Sequence, residues 1–121
     1  MTEKLQQGAA GEEATIDWLR SHGFMIEARN LRYGRYEIDI VASRWGTTHF
    51  VEVKTRRLNS LTSPEEAIDD KKRHALHRAI SAYVAQHRLR GEIQIDLAAV
   101  DALPDGTYAV RHIENAIEYG W

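Results

Sequence analysis

Two short runs near the middle of the chain alternate between apolar and charged side chains. Glu37-Ile38-Asp39-Ile40-Val41 is the first and Phe50-Val51-Glu52-Val53-Lys54 the second. A period of two with β-branched residues predicts strands. Arg44-Trp45-Gly46-Thr47 lies between them, and Gly46 can take the positive φ that a tight turn requires. The pair therefore predicts a hairpin. With Trp45 and Gly46 at its tip, Arg44 faces Thr47. Val41 then faces Phe50, Asp39 faces Glu52 and Glu37 faces Lys54, these three pairs sharing one side of the sheet.

The flanking segments change period. From Gly8 to His22 the pattern is helical, closed by Gly23, and at about 100° per residue Ala9, Glu12, Ile16 and Leu19 share a face. Phe24 to Arg32 reads as a strand, and Tyr33-Gly34-Arg35 turns it into the hairpin. Arg57 to Thr62 is a polar loop. Ser63 as N-cap, Pro64 at the first position and Glu66 completing a capping box start a second helix. It runs to Gln86–Arg88 and buries Ile68, Ala75, Leu76, Ala79, Ile80 and Tyr83. Glu92 to Val100 predicts a strand, Leu103-Pro104-Asp105-Gly106 a turn, Thr107 to His112 a last strand, and Ile113 to Tyr119 a short terminal helix. This order predicts an α/β fold: a single mixed sheet of about five strands with helices packed on its faces. Residues 1–121 are expected to form one domain.

Composition narrows the class. At 43% apolar and 28% charged, the chain has the make-up of an ordinary globular protein. No stretch approaches a membrane span, and the N-terminus lacks the apolar centre of a signal peptide. The absence of cysteine rules out disulfides and thiolate metal sites and fits a cytoplasmic location. A net charge of −2 argues against indiscriminate polyanion binding by the whole surface, while basic residues gathered on one side remain compatible with nucleic acid.

The chemistry centres on the hairpin. Directly opposed like charges destabilise a strand pair, so Asp39 across from Glu52 calls for a counter-charge, and a divalent cation with oxygen ligands is the most economical. The alternative is a solvated strand face carrying a cross-strand ion pair. Glu12 falls inside the apolar stripe of the first helix, where a carboxylate needs a partner; the competing account is a first-turn acid complementing the helix dipole. Lys72 lies within the stripe of the long helix, either snorkelling outward or reaching the carboxylates or a nearby phosphate. Three acids of this kind suit Mg²⁺ or Mn²⁺, which keep waters and bind phosphate oxygens. Lys54 would orient a water or offset charge on phosphorus, and Arg56, Arg57, Lys71, Lys72 and Arg73 would track flanking phosphates. Phosphodiester hydrolysis uses every one of these parts. His74 and His77, three apart, are assigned to packing or surface roles, and Trp45 to the hairpin tip.

The E-I-D at 37–39 followed by E-V-K at 52–54 resembles the core of the PD-(D/E)xK nuclease superfamily. G-E-E at 11–13, A-R-N-L-R at 28–32, F-V-E-V-K-T-R at 50–56, S-P-E-E-A-I at 63–68, K-K-R at 71–73 and I-E-N-A at 113–116 follow in order. That succession resembles the small bacterial YraN-like family, endonuclease-like and related to archaeal Holliday-junction resolvases. Tyr36 departs from the glycine common before E-I-D, and Leu61-Thr62 from an aromatic-glycine pair. The resemblance implies a restriction endonuclease-like fold and a Mg²⁺- or Mn²⁺-dependent endonuclease acting on DNA, including branched or structured DNA. It implies Asp39, Glu52 and Lys54 as catalytic residues, with Glu12 as the helix-borne acid that joins Asp39 and Glu52 at the metal. It leaves room for a homodimer, because two symmetric cuts need two sites. The alternative is a nucleic-acid-binding module that keeps the fold without cleaving. A purely structural cation site is a third reading.

Overall fold

The computed structural model describes residues 3–57 and 70–117, with side chains from residue 8 onward. In chain order the elements are α1 (Glu3–Ser21), β1 (Met25–Tyr33), β2 (Tyr36–Arg44), β3 (Thr47–Arg57), α2 (Asp70–His87), β4 (Glu92–Ala102) and β5 (Tyr108–Ile117). The strands form one sheet in the order β1-β2-β3-β4-β5. Only β3 and β4 run parallel; the other neighbours are antiparallel. The parallel pair needs a crossover, and α2 lies on that connection. The expected α/β architecture is present, with a helix on each face. The polar loop after Arg57 and the Ser63 capping box lie outside the described residues. Among the described residues no helix is long and apolar enough to cross a membrane.

Alternation along the central strands divides the core. Val41 and Phe50 pack with Leu76, Ile80 and Tyr83 of α2, whereas Ile40, Ala42 and Val51 pack with Ile16 and Leu19 of α1. Ile38 breaks the pattern by joining the α2 side with Val41 rather than the α1 side with Ile40. The period of two is therefore interrupted at Asp39, between them. Gly23 closes α1 in the left-handed region (φ 86°). Its N–H donates to Arg20, and the next N–H, of Phe24, reaches back to Leu19. That is a Schellman closure, and it seats Phe24 in the α1 core.

One expected element is absent. Ile113 to Ile117 does not turn into a helix but continues β5 along β4, pairing Leu97 with Ile113 and Ile95 with Ile117 across a bulge. A helix this short closes few hydrogen bonds for its ordering cost, while β4 offers an open edge. Asn115 sits at the bulge with φ 54° and donates its N–H to Asp96 Oδ1 at 3.0 Å. Residues 118 and 119 lie outside the described residues.

Asp96, fully buried in β4, ties this half of the sheet together. His49 Nδ1 and His112 Nε2 both lie 2.7 Å from its Oδ2, and Gln94 donates to Oδ1 at 2.8 Å. Burial alone would push this carboxyl up, but the hydrogen bonds from His112, His49, Gln94 and Asn115 hold it well below the usual carboxylate range. Its stabilising contribution is thus present above the ordinary value of 3.8 and is lost as pH falls through the depressed one. Asp96→Ala, which strands four donors, is expected to lower stability by about 3–5 kcal/mol in urea unfolding.

Candidate active site

The hairpin has the predicted register. Arg44 pairs with Thr47, Ser43 with Thr48, Ala42 with His49, Val41 with Phe50 and Ile40 with Val51. Trp45 (φ 53°) and Gly46 (φ 78°) both take positive φ at the tip, as a type I′ turn demands. Regular pairing stops at Ile40 and Val51. Beyond it the Asp39 side chain takes over as acceptor, receiving the Val53 N–H on Oδ2 at 2.8 Å. The break in alternation at Asp39 and the opening of the ladder are the same event, and it brings the carboxylates together.

Glu52 is buried beside the Tyr36 hydroxyl and the Asp39 carboxyl. Burial, then the Asp39 charge, raise its carboxyl well above the ordinary range. Asp39 is also raised by burial, opposed by the Val53 N–H. Two carboxyls this close cannot both ionise cheaply. Glu52 Oε1 is buried and has no hydrogen-bond partner.

Glu12 projects from α1 toward the same place. One oxygen each of Glu12, Glu37 and Asp39 lie within 4.8 Å of one another. Asn30, in the left-handed conformation (φ 52°), bridges two of them. With its amide nitrogen turned inward it donates to Glu12 Oε2 at 3.1 Å and Glu37 Oε1 at 3.0 Å. Glu37 does not pair with Lys54 as expected. It lies opposite Arg32 in the β1–β2 ladder, with Arg32 Nη2 3.6 Å from its carboxylate. The interruption at Asp39 gives Glu37 this direction, which a strict period of two hides.

Burial, then Asp39 and Glu37, push the Glu12 carboxyl up to about 7. An unfolded glutamate titrates near its ordinary 4.5. The folded protein's advantage is therefore complete below 4.5 and disappears as pH rises through about 7. Metal-free protein is expected to melt lower at about pH 8 than at about pH 5, and added Mn²⁺ to raise the melting temperature more at the higher pH. Melting curves over that range, with and without Mn²⁺, check it.

Lys54 completes the cluster. Burial, then the neighbouring Lys72 ammonium, lower its pKa, while Glu52 and Asp39 oppose the change. Lys72 is exposed rather than buried in the stripe of α2, yet it reaches Lys54. Lys71 and Arg73 flank it on the exposed first turns of α2, and Arg57 is exposed at the end of β3. Arg56 is committed differently: its Nε donates to Asp101 Oδ1 at 2.8 Å, joining β3 to β4.

Close packing holds Glu12 in place. Gly11 faces Thr55 of β3 so tightly that a Cβ there would overlap Thr55 Oγ1 and come within 3.1 Å of Thr55 Cβ. Thr15 Oγ1 donates to the Gly11 carbonyl at 2.8 Å. Glycine is required here for close approach.

The donor set suits a hard divalent cation. The group that Glu12, Glu37 and Asp39 form consists of oxygens only; Glu52 is not part of it but adjoins it through Asp39, with one oxygen buried and orphaned. Among the described residues a second group, His49, Asp96, His112 and Glu114, is also placed as metal ligands could be. There Asp96 already accepts four donors, so no charge is left unanswered.

A mixed five-stranded sheet with a helix on each face, and acids gathered where two central strands part, is consistent with a restriction endonuclease-like fold. The chain belongs to the uncharacterised protein family UPF0102, whose profile matches residues 11–100. It is 36% identical over 116 residues to a UPF0102 protein of Bacteroides thetaiotaomicron, covering 96% of this chain and 95% of that one. It is 41% identical over 112 residues to a UPF0102 protein of Symbiobacterium thermophilum, covering 90% and 93%. Among solved structures it is similar to Pyrococcus furiosus SfsA in complex with Ca²⁺, at 17% identity and a TM-score of 0.39, covering 95% of this chain and 64% of that one.

Proposed function

We propose that the protein is a Mg²⁺- or Mn²⁺-dependent endonuclease that hydrolyses phosphodiester bonds in DNA, with branched or structured DNA as its substrate. The observation that carries this reading is the unpartnered, buried oxygen of Glu52 beside Asp39, with Glu12 and Glu37 against the same Asp39. A bound cation would answer such crowding. A bound divalent ion supplies an acidified water and offsets charge on the phosphate.

The chain's own residues divide the remaining work. Asp39, Glu52 and Glu12 would hold the ion, and Glu37 would add a fourth carboxylate. The Val53 N–H fixes the direction of Asp39, and the Tyr36 hydroxyl lies beside Glu52. Lys54 orients the attacking water and offsets charge developing on the phosphate. Lys72, Lys71, Arg73 and Arg57 contact flanking phosphates, and Arg56 shapes that surface through its tie to Asp101. A two-fold dimer would deliver the paired cuts that a symmetric junction needs.

Incubation with junction, flap and linear DNA in Mg²⁺ or Mn²⁺ tests the reading. Cleavage is expected on at least one substrate, with Lys54→Met slower by about 10²–10⁴-fold and Asp39→Ala inactive. Failure to cut any substrate above the Asp39→Ala background would contradict it. Salt-sensitive binding without cutting would then leave a nucleic-acid-binding module on the same fold.

A further inference from the structure

Beside the acids, between the β1–β2 turn and α2, lies a cleft of about 480 Å³. Tyr33, Tyr36, Arg35 and Arg78 line it, and α2 adds the methyl groups of Ala75, Ala79 and Ala82. The volume is that of a small-molecule or single-nucleotide site. No acid lines the cleft, and neither arginine forms an ion pair with a described residue.

Tyr33 is anchored by its hydroxyl, which donates to Gln86 of α2 at 3.0 Å and leaves its ring to present a fixed face. The Tyr36 hydroxyl lies beside Glu52, so one side chain is at once a wall of the cleft and a neighbour of the acid cluster. Aromatic faces and small methyls on α2 suit a flat ring, and two exposed arginines suit a phosphate attached to it.

We propose that this cleft receives an unpaired nucleotide of the nucleic-acid substrate, its base against Tyr33 and Tyr36 and its flanking phosphate on Arg35 and Arg78. A base within a duplex is stacked and paired on its own strand partners and enters such a cleft only after extrusion. The site therefore selects DNA with an unpaired nucleotide next to the cut. This deepens the endonuclease reading and rests on it for the identity of the ligand.

Fluorescence anisotropy tests the proposal with a labelled duplex carrying a short single-stranded thymidine tail, and the same duplex with abasic residues in the tail, in low-salt Ca²⁺ buffer. Wild type is expected to bind the thymidine tail about tenfold more tightly. Ala82→Leu, at an exposed helical position lining the cleft, fills the cleft without disturbing the core and abolishes the preference; Tyr33→Ala reduces it. Equal affinity of wild type for the two tails, no measurable binding to either, or a preference that survives Ala82→Leu overturns it. The two readings fail separately. Base-dependent binding with no cleavage in Mn²⁺ removes the nuclease and keeps the nucleotide site, whereas cleavage without base dependence does the reverse.

Discussion

Exchanging Glu52 for glutamine is expected to make the metal-free protein more stable and to abolish the proposed cleavage. The carboxyl is buried against Asp39, and burial together with that charge already forces it to keep its proton. Glutamine has nearly the same shape. Its amide can donate to the neighbouring Asp39 carboxylate, which a second carboxylate cannot do. The substitution thus removes a group whose folded pKa is raised, a penalty that grows as pH climbs above the ordinary value of 4.5. At about pH 8 the variant is expected to gain about 1–2 kcal/mol in denaturant unfolding, and at about pH 4 nothing. Cation binding and cleavage, which need the ionised carboxylate, are lost. Stability gained where activity is lost is the signature of a site strained for its chemistry. A loss of stability at pH 8 would mean that the contact is an ordinary structural hydrogen bond.

The second large effect is at a position with no chemistry of its own. Gly11→Ala places a methyl group into Thr55, on the strand that also carries Glu52 and Lys54. Neither partner is the tip of a long flexible side chain, so α1 must back away and carry Glu12 with it. Overpacking of this kind costs about 1–3 kcal/mol. Mn²⁺ affinity and cleavage should fall in parallel, since the next residue is a proposed ligand. Thr55→Ala is expected to rescue much of both in the double variant. On its own it should be close to neutral, because Thr55 Oγ1 is buried without a partner and its removal relieves an unsatisfied group. Calorimetric melting of the two single variants and the double variant decides it; a Gly11→Ala protein as stable as wild type would show that α1 is loosely seated.

The hairpin was legible because two independent signals agree there: alternation on both sides, and a Trp-Gly pair at the only place a two-residue turn fits. That register brings Asp39 close to Glu52, although the ladder ends at Ile40 and Val51, and the helical stripe turns Glu12 toward Asp39. Glu37 was misdirected because the strand changes face at Asp39, and a local interruption leaves no mark in a period of two. Asn30 takes a left-handed conformation inside a strand, which its neighbours do not announce. Gly11 is spaced like any small helical residue until Thr55, distant in sequence, is brought against it. The His49–Asp96–His112 network did leave a trace. Asp96 interrupts the otherwise apolar end of I-Q-I-D-L-A-A-V, and a buried aspartate must find donors. The partners themselves come from two other strands, which no local pattern identifies. The end of β5 reads as helix by composition, and it was the open edge of β4 that decided otherwise.

Calorimetric titration of Mn²⁺ into wild type and Asp39→Asn at about pH 7 asks the central question most directly. Carboxyls whose burial and close acidic neighbours favour the protonated form must release their protons when an ion arrives. Wild type should therefore bind Mn²⁺ saturably, with a heat that varies with the buffer's ionisation enthalpy, and Asp39→Asn should bind none. Silence from the wild type, or an identical isotherm from the variant, would show that the acids answer to no metal.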